Sequence, residues 1–236
     1  MPVMPSCPMT LSYPWLHDML VRRFGSEAAL EQMLPQPLSS EALRRQGDDR
    51  YLSAMTQRVF QAGLRHSVVD ARWSAFEAAF GGFDVQAMAR IGPQQIEAHM
   101  QDARLIRDRA KLQTIPKNAR FILDVRQERG GTFAGWIADW PASDIVGLWQ
   151  ELASRAARLG GRSGAGFLRL AGKDTFLLTS DVVARLAEAG VVQRAPKTQA
   201  ELQAVQHAFN TLQHSSGRPL CQLSAMLAYS IHPEPA

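Results

Sequence analysis

The sequence predicts an all-α protein. Apolar residues recur every three or four positions through most of the chain, which is the spacing of one face of a helix. Glycine and proline separate these segments at intervals that suit helices, and no segment shows the apolar–polar alternation of a half-buried strand. The sequence contains no internal repeat, so the helices are expected to surround an ordinary hydrophobic core.

The size and composition allow one core or two lobes with a cleft between them. The chain has 236 residues, of which 46% are hydrophobic and 20% are charged. Lysine and arginine number 26 against 22 acidic residues, so the net charge is +4 and the pI is about 9.4. A mildly basic surface suits nucleic acid, although many basic proteins bind nothing charged.

The sequence shows no pattern of a secreted or membrane protein. Its two cysteines, Cys7 and Cys221, form no disulfide framework. Residues 1–8 hold no basic segment followed by an apolar run, and no apolar stretch reaches the roughly 18 residues that span a bilayer. We expect a protein of the reducing cytoplasm that has no membrane contact.

In the first half of the chain, the apolar spacing and the breakers predict a series of short helices. Residues 1–11 are proline-rich and expected to be extended. A helix begins near Trp15 and ends at Gly25, where Ser26 caps the next helix. The further helices are predicted over 27–34, 50–64 and 67–80, from Asp84, and after Pro93.

In the second half, longer helices flank a glycine-rich segment. Residues 107–127 are predicted to be helical with a kink or break at Pro116, and residues 131–141 to be rich in loops. Ser143 is predicted to cap a helix that runs to about Leu159. The remaining helices are predicted after the glycine-rich turn, from Asp181 to about Gly190, over 198–214, and over 220–230.

The glycine-rich turn at 159–166 is a candidate phosphate site. It places backbone N–H groups at the start of a short apolar helix, where they have no acceptor within that helix. Every charge between Glu151 and Asp174 is positive: Arg155, Arg158, Arg162, Arg169 and Lys173. The alternative is that the glycines only allow two helices to pack closely.

This stretch resembles the helix-hairpin-helix DNA glycosylases, in which a glycine-containing hairpin holds the DNA backbone. The matching residues are Gly161-Arg162-Ser163, and Asp181 follows 18 residues after Ser163. The resemblance implies that Gly161, Arg162, Ser163 and Gly164 hold the backbone, with Lys173 as a further DNA contact; Ser163 could instead cap its helix. Because Ser163 replaces the lysine that attacks the sugar in the endonuclease III branch, the resemblance implies hydrolysis without strand cleavage.

A second set of motifs is similar to 3-methyladenine DNA glycosylase I over roughly residues 50–125, and more weakly to 171. The motifs, in order, are Gln61-Ala62-Gly63-Leu64, Trp73 to Asp84, Asp102 to Lys111, and Asn118-Ala119-Arg120. This resemblance implies the helix-hairpin-helix glycosylase fold with two helical lobes and a cleft between them: about 12–140 as the first lobe, and about 141–236 as the lobe of the hairpin and the C-terminal helices. It also implies a monomer that needs no cofactor and acts on double-stranded DNA containing a damaged base, most simply an alkylated purine.

In that family, the loop equivalent to 61–64 pushes a leucine into the duplex as the damaged base leaves it. Leu64 is therefore the candidate wedge, and Gln61 and Gly63 are candidate DNA contacts. Packing of Leu64 in the core is the alternative.

The base pocket is expected to be lined by the less regularly placed aromatic residues. Trp73, Phe76 and Phe80 follow helical spacing and are expected in the core. The pocket candidates are Tyr51, Arg58, His66, Trp136 and Trp140. The resemblance puts His66 at the place of a family tryptophan and Arg58 at the place of the family's glutamate, which motivates a second hypothesis: a DNA-damage binding protein that has lost catalysis.

Asp181 is the candidate catalytic residue. An aspartate in Thr179-Ser180-Asp181 could be only a helix cap. The spacing from the hairpin favours catalysis, because a carboxylate can stabilise the positive charge that develops on the sugar as the glycosidic bond breaks. A lyase that uses Lys173 is a third and weaker possibility, since this lysine is misplaced for attack.

The family also carries a structural zinc, for which this chain has a poor set of ligands. Cys7 and His17 correspond to one pair, whereas Cys221 and His232 do not fit the spacing of the other. We expect no metal.

Overall fold

The computed structural model describes residues 11–231, and within that range every regular element is a helix. The first eight are α1 Tyr13–Phe24, α2 Glu27–Met33, α3 Ser40–Arg45, α4 Asp48–Gln61, α5 His66–Asp70, α6 Trp73–Ala79, α7 Val85–Ala89 and α8 Pro93–Met100. The others are α9 Arg109–Leu112, α10 Thr114–Arg129, α11 Phe133–Asp139, α12 Ile145–Arg155, α13 Arg162–Leu170, α14 Ser180–Glu188, α15 Gln199–Ser216 and α16 Leu220–Tyr229. Short 3-10 turns cover Gly81–Phe83 and Ala142–Asp144. The all-α prediction is confirmed.

Most helix ends lie where the sequence places its capping residues. Gly25 closes α1 in the left-handed region at φ 83°, and the Ser26 hydroxyl accepts the N–H of Ala29 at the start of α2. Thr198 and Glu201 form a capping box at α15. These local signals explain why the helix starts and ends follow the sequence closely.

Residues 38–141 and 147–173 form one compact unit, here called the central unit. Helix α4 is its principal packing element and contacts α5, α7, α9, α10, α11 and α13. The α4 side chains Leu52, Met55 and Phe60 are fully buried. At about 25 cal/mol per Å² of buried apolar surface, each such side chain stabilises the fold by roughly 2 kcal/mol.

Aromatic rings fill much of this core. Phe60 meets Phe76 edge to face at 4.8 Å, and Phe76 and Phe80 are both buried as predicted. Trp73 is half-buried, stacks on Phe76 at 5.0 Å and donates its indole N–H to the Ser53 hydroxyl.

The second compact unit, here called the terminal unit, comprises residues 11–37, 142–146 and 174–231 of the described chain. Its helices α1, α2, α14, α15 and α16 pack on one another. Phe176 and Phe209 stack at 4.1 Å in its interior. The Asp174 carboxylate accepts the backbone N–H groups of Leu220 and Cys221 and so caps the start of α16.

The division of the chain differs from the predicted lobes. Residues 11–37 group with the C-terminal helices rather than with the middle of the chain, and the hairpin segment 147–173 groups with the central unit. Sequence order alone could not predict this grouping, because it depends on contacts between segments far apart in the chain.

Four elements differ from their predictions. Helix α3 was not predicted, the predicted helix 67–80 is divided into α5 and α6, and the segment around Trp136 is the helix α11 rather than a loop. Pro116 causes no break, because it lies in the first turn of α10, where a missing N–H leaves no helical bond unmade. Within residues 11–231, no helix is long and apolar enough to cross a membrane.

Candidate functional site

The turn that follows α4 carries an exposed leucine. Helix α4 ends at Gln61, and Gly63 adopts φ 81° with open space around it. The Leu64 N–H donates to the Gln61 carbonyl at 3.3 Å, and the Leu64 residue is 39% exposed. Leu64 is therefore not a core residue.

Two buried polar side chains hold this turn in place. The Lys111 ammonium donates to the carbonyls of Phe60 at 3.2 Å and Ala62 at 2.8 Å, which are at the C-terminal end of α4. Burial lowers the pKa of Lys111. Gln61 is buried, and its amide donates to the Asp70 carboxylate at 3.1 Å. The turn is thus held in place by side chains in the protein interior, while Leu64 at its tip is exposed to solvent.

The hairpin between α12 and α13 depends on two glycines. Gly161 adopts φ 57° and ψ −130°, a conformation that side chains rarely allow. A Cβ atom on Gly164 would lie 2.8 Å from the Leu159 carbonyl oxygen, so only glycine permits this close approach. Leu159 is fully buried and anchors the turn in the central unit.

Asn118 of α10 fixes the hairpin through two bonds to one residue. Its side-chain oxygen accepts the Ala157 N–H at 2.7 Å, and its side-chain nitrogen donates to the Ala157 carbonyl at 3.3 Å. Asn118 is fully buried. The hairpin backbone is therefore held by a helix distant in sequence.

The hairpin presents exposed cations. Arg158 and Arg162 are exposed, and in the described part of the chain neither forms a salt bridge with an acidic side chain. Arg155, by contrast, pairs with Glu128 at 2.8 Å. Ser163 is half-buried in the first turn of α13, and Gly161, not Ser163, occupies the N-cap position. The alternative that Ser163 caps its helix is therefore wrong.

Arg58 is a residue of α4 whose side chain lies against the hairpin helix α13. A Cβ atom on Gly166 would lie 2.9 Å from both Cδ and Cζ of Arg58, so the guanidinium end of this side chain rests directly on Gly166. The Arg58 Nε is buried and has no hydrogen-bond partner among the described residues, and Nη1 lies 3.5 Å from Nε2 of His66. Burial, and then the positive charge of Arg162, lower the pKa of Arg58.

Two of the predicted pocket residues are core residues. Tyr51 is fully buried, and its hydroxyl donates to the Leu43 carbonyl at 2.9 Å. Trp136 is 7% exposed and packs against Phe121 and Phe133. Trp136 was expected in a loop because α11 was not predicted, and Tyr51, although in a predicted helix, is buried against α3, which was not predicted either. Trp140 is half-buried beside Trp136, whereas His66 is exposed at the start of α5.

Lys173 has a structural role rather than the predicted contact with DNA. It is 6% exposed, and its ammonium donates to the carbonyls of Ala138 at 3.2 Å and Trp140 at 2.6 Å at the end of α11. A buried cation that holds carbonyls at a helix end is committed to the fold.

Asp181 lies in the terminal unit, in the first turn of α14. The N-cap of this helix is Thr179, whose hydroxyl accepts the Val182 N–H at 3.2 Å. Asp181 is half-buried, and the Ser180 hydroxyl donates to its carboxylate at 3.4 Å. Thr179, not Asp181, is therefore the N-cap of α14.

The described residues contain no group of three or more metal-ligating side chains. Cys7 and His232 lie outside the described residues. His17 lies 3.7 Å from both Asp18 and Glu27, and Cys221 is buried with its sulfur toward the Pro35 carbonyl.

Sequence reasoning missed three residues that shape the site, namely Lys111, Asn118 and Gly166. Lys111 and Asn118 lie within the motif segments that carry the family resemblance, which was the available signal. Each of the three acts on a partner at least 39 positions away in the chain, so the spacing of residues in the sequence could not reveal its role.

The family model for methyladenine glycosylases matches residues 42–158. A DNA-3-methyladenine glycosylase of Haemophilus influenzae is 38% identical over 77 residues, which are 33% of this chain and 41% of that protein. The chain thus spans less than half the length of this curated relative. The segment that the family model matches includes α4, the turn that follows it and the start of the hairpin.

Two solved structures share the fold. The 8-oxoguanine glycosylase/lyase of Methanocaldococcus jannaschii, in complex with DNA containing 8-oxoguanine, is 13% identical with a TM-score of 0.54, over 90% of this chain and 96% of that chain. The 8-oxoguanine DNA glycosylase of Thermotoga maritima is 13% identical with a TM-score of 0.50, over 92% and 96%. The predicted helix-hairpin-helix glycosylase fold is confirmed, and the cleft between two lobes stays a prediction.

Proposed function

We propose that this chain is a monofunctional DNA glycosylase of the methyladenine glycosylase family, whose model matches residues 42–158. It takes a damaged base, an alkylated purine, out of duplex DNA and hydrolyses the N-glycosidic bond. The observation that carries the proposal is the exposed Leu64 on a fixed glycine turn inside the segment that the family model matches. The chain acts as a cytoplasmic monomer without a cofactor.

Leu64 fills the gap that the flipped base leaves. In the free protein the apolar Leu64 side chain is exposed to water, which is unfavourable. Insertion between stacked bases removes this contact with water. Flipping a base out of the duplex costs a few kcal/mol, and a side chain that fills the vacated space offsets part of this cost. Lys111 and Gln61 keep the turn from yielding as it enters the duplex.

The hairpin binds the DNA backbone. Gly161 and Gly164 let the turn come close to a phosphate, where the first N–H groups of α13 are donors. Arg158 and Arg162 add positive charge from exposed positions. Contacts of this type position the protein on the duplex without reading its sequence.

Asp181 performs the chemistry. Departure of the base leaves positive charge on the sugar, and a carboxylate stabilises it and orients or deprotonates the attacking water. Thr179 provides the N-cap, so the carboxylate of Asp181 is not needed for that purpose. The half-buried position supports this role, since electrostatic stabilisation is stronger away from bulk water.

The base contacts are His66 and Trp140, with Arg58 beside His66. His66 is exposed at the end of the Leu64 turn, and Trp140 is half-buried. A purine can stack on either ring.

Two lysines that could act as a lyase nucleophile are bound within the central unit. Lys111 and Lys173 are buried, and each ammonium donates to two backbone carbonyls. An amine held in this way is not placed to attack a sugar. This supports hydrolysis without strand cleavage.

The second candidate function is a DNA-damage binding protein without catalysis. It is favoured by Arg58, since an arginine cannot accept a proton as a glutamate can. Tight binding to lesion duplexes, with no base released from any of them, would favour it over the glycosylase.

The proposal is tested by base release from alkylated duplex DNA, followed by chromatography of the freed bases and by borohydride trapping. We expect free alkylated purine and no covalent protein–DNA product. Release with a trapped product would contradict the monofunctional mechanism, and no release from any alkylated duplex would contradict the enzyme.

A further inference from the structure

The least expected feature of the central unit is the Arg58 side chain. The buried cations Lys111 and Lys173 of the same unit each donate to two backbone carbonyls. The described residues provide Arg58 with no salt bridge, and its buried Nε has no hydrogen-bond partner. An unmatched donor at this depth costs about 1–3 kcal/mol, more when it is charged.

The residues next to Arg58 do not neutralise its positive charge. Arg162 lies close enough to lower the pKa of Arg58, and like charges repel. Nε2 of His66 lies 3.5 Å from Nη1, and an imidazole side chain brings no carboxylate to Arg58. Arg58 thus has a second arginine and an imidazole as neighbours, and neither of them offsets its charge.

A glycine in α13 leaves room for the Arg58 side chain. Gly166 leaves the space that the Arg58 guanidinium end occupies, since a Cβ there would lie 2.9 Å from Cδ and Cζ. Arg162 and Gly166 are four residues apart and therefore on one face of α13. The glycine places the Arg58 guanidinium on the same helix face as Arg162.

Such a cluster binds an anion, and the DNA backbone supplies one. We propose that Arg58, Arg162 and His66 form a phosphate site that holds one phosphodiester of the bound strand between the hairpin and the Leu64 turn. This rests on the proposed DNA-binding function. The site adds a phosphate contact to those of the hairpin, and one phosphodiester offsets one of its two arginine charges when DNA is bound.

The test measures the affinity for duplex DNA as a function of salt by fluorescence anisotropy. The probes are an undamaged duplex and the same duplex with a tetrahydrofuran abasic-site analogue, which has no base to recognise. Each phosphate contact contributes about 0.9 to the slope of log K against log salt. We expect Arg58→Gln to reduce the slope by about one on both duplexes, and Arg58→Lys to keep it.

Arg45→Gln is the matched control, because Arg45 is an exposed arginine of the same unit that pairs with Glu41. We expect its slope to equal that of the wild type. An unchanged slope for Arg58→Gln, with DNA binding retained, would overturn the phosphate site while leaving the glycosylase proposal intact. A loss of slope that Arg58→Lys fails to restore would also overturn it, since the effect would then be structural.

Gly166→Ala gives an independent measurement. The added methyl group displaces the Arg58 side chain, so binding of both duplexes is expected to weaken several-fold in the wild-type background. In the Arg58→Gln background the same change is expected to have little further effect. Equal losses in the two backgrounds would show that Gly166 acts independently of Arg58 and would contradict the proposal.

Discussion

Lys111 and Arg58 are two basic side chains of the central unit with opposite surroundings. The Lys111 ammonium is buried and donates to two carbonyls at the end of α4. The Arg58 guanidinium lies on Gly166, has a buried Nε without a partner, and is repelled by Arg162. The difference teaches which cations stabilise the fold and which are left for a ligand: the first kind has its acceptors within the chain, and the second does not.

The largest expected effect on stability distinguishes Lys111 from Arg58. Lys111→Met leaves the carbonyls of Phe60 and Ala62 without a donor, and we expect it to lower the free energy of unfolding by about 3 kcal/mol. Arg58→Met removes an unmatched buried donor, and we expect it to leave the free energy of unfolding unchanged or to raise it by about 1–3 kcal/mol. Urea denaturation of both variants makes the comparison. Equal losses would remove the distinction on which the assignment of Arg58 depends.

Asn118→Ala tests the fixed hairpin. Loss of both bonds to Ala157 leaves buried backbone groups unpaired, and we expect a destabilisation of about 2 kcal/mol and weaker binding of duplex DNA. Denaturation and anisotropy measure the two effects. Asn210→Ala, in the terminal unit, also removes two side-chain hydrogen bonds, to the Ser143 carbonyl and from the Gln206 amide, and serves as the control. A hairpin that binds DNA equally well without Asn118 would show that its bracing is not required.

Leu64→Ala should affect function without affecting stability. Because the side chain is exposed, we expect the free energy of unfolding to change by less than about 0.5 kcal/mol. Base release is expected to fall about tenfold or more, since the wedge offsets part of the cost of flipping. Leu170→Ala is the matched control, because Leu170 is a leucine of the same unit that is 42% exposed. An equal loss of activity in both variants would contradict the wedge.

The Arg58 charge should also influence which alkylated purine is released. A positive field opposes a cationic base such as 3-methyladenine in DNA more than a neutral one, so Arg58→Gln is expected to raise the relative rate on the cationic base by up to about tenfold. Paired release assays on duplexes that contain a cationic or a neutral alkylated purine measure the ratio. A ratio unchanged by the substitution would show that the field of Arg58 does not reach the base.

The smallest effect concerns Asp48, a partly buried carboxylate of the central unit. Burial raises its pKa, despite the bond from the Ala134 N–H and the charge of Arg126. A raised folded-state pKa favours the fold while the group is protonated, and this contribution is lost as the pH rises through that value. Asp48→Asn should therefore be slightly more stable than the wild type at neutral pH, and the advantage should vanish in acid. Thermal unfolding across pH would contradict this if the wild type were the more stable at neutral pH.

Local signals in the sequence predicted much of the fold. Gly25, Ser26 and the segment after Thr198 defined helix ends because capping depends on residues within a few positions. The motif at 61–64 and the hairpin glycines located the two turns. Helix α3 and the helical state of the Trp136 segment were missed, because tertiary packing outweighs weak local preference in short segments.

The candidate site could be predicted only where a residue acts through its own backbone or exposure. Leu64 and Gly161 fall in this class. Tyr51, Trp136 and Lys173 do not, because their burial and their hydrogen bonds depend on α3, α4 and α11 packing together. The relation of Arg58 to Gly166 joins residues 108 positions apart and leaves no pattern in the sequence.

The central claim, that this protein hydrolyses the bond of a damaged base with Asp181, is tested most directly by base release from alkylated duplex DNA. The wild type is compared with Asp181→Asn and with Asp18→Asn, an exposed aspartate of the same unit. We predict release by the wild type and by Asp18→Asn, and a loss of at least about 100-fold for Asp181→Asn with its thermal stability retained. Release by Asp181→Asn at the wild-type rate would contradict the account.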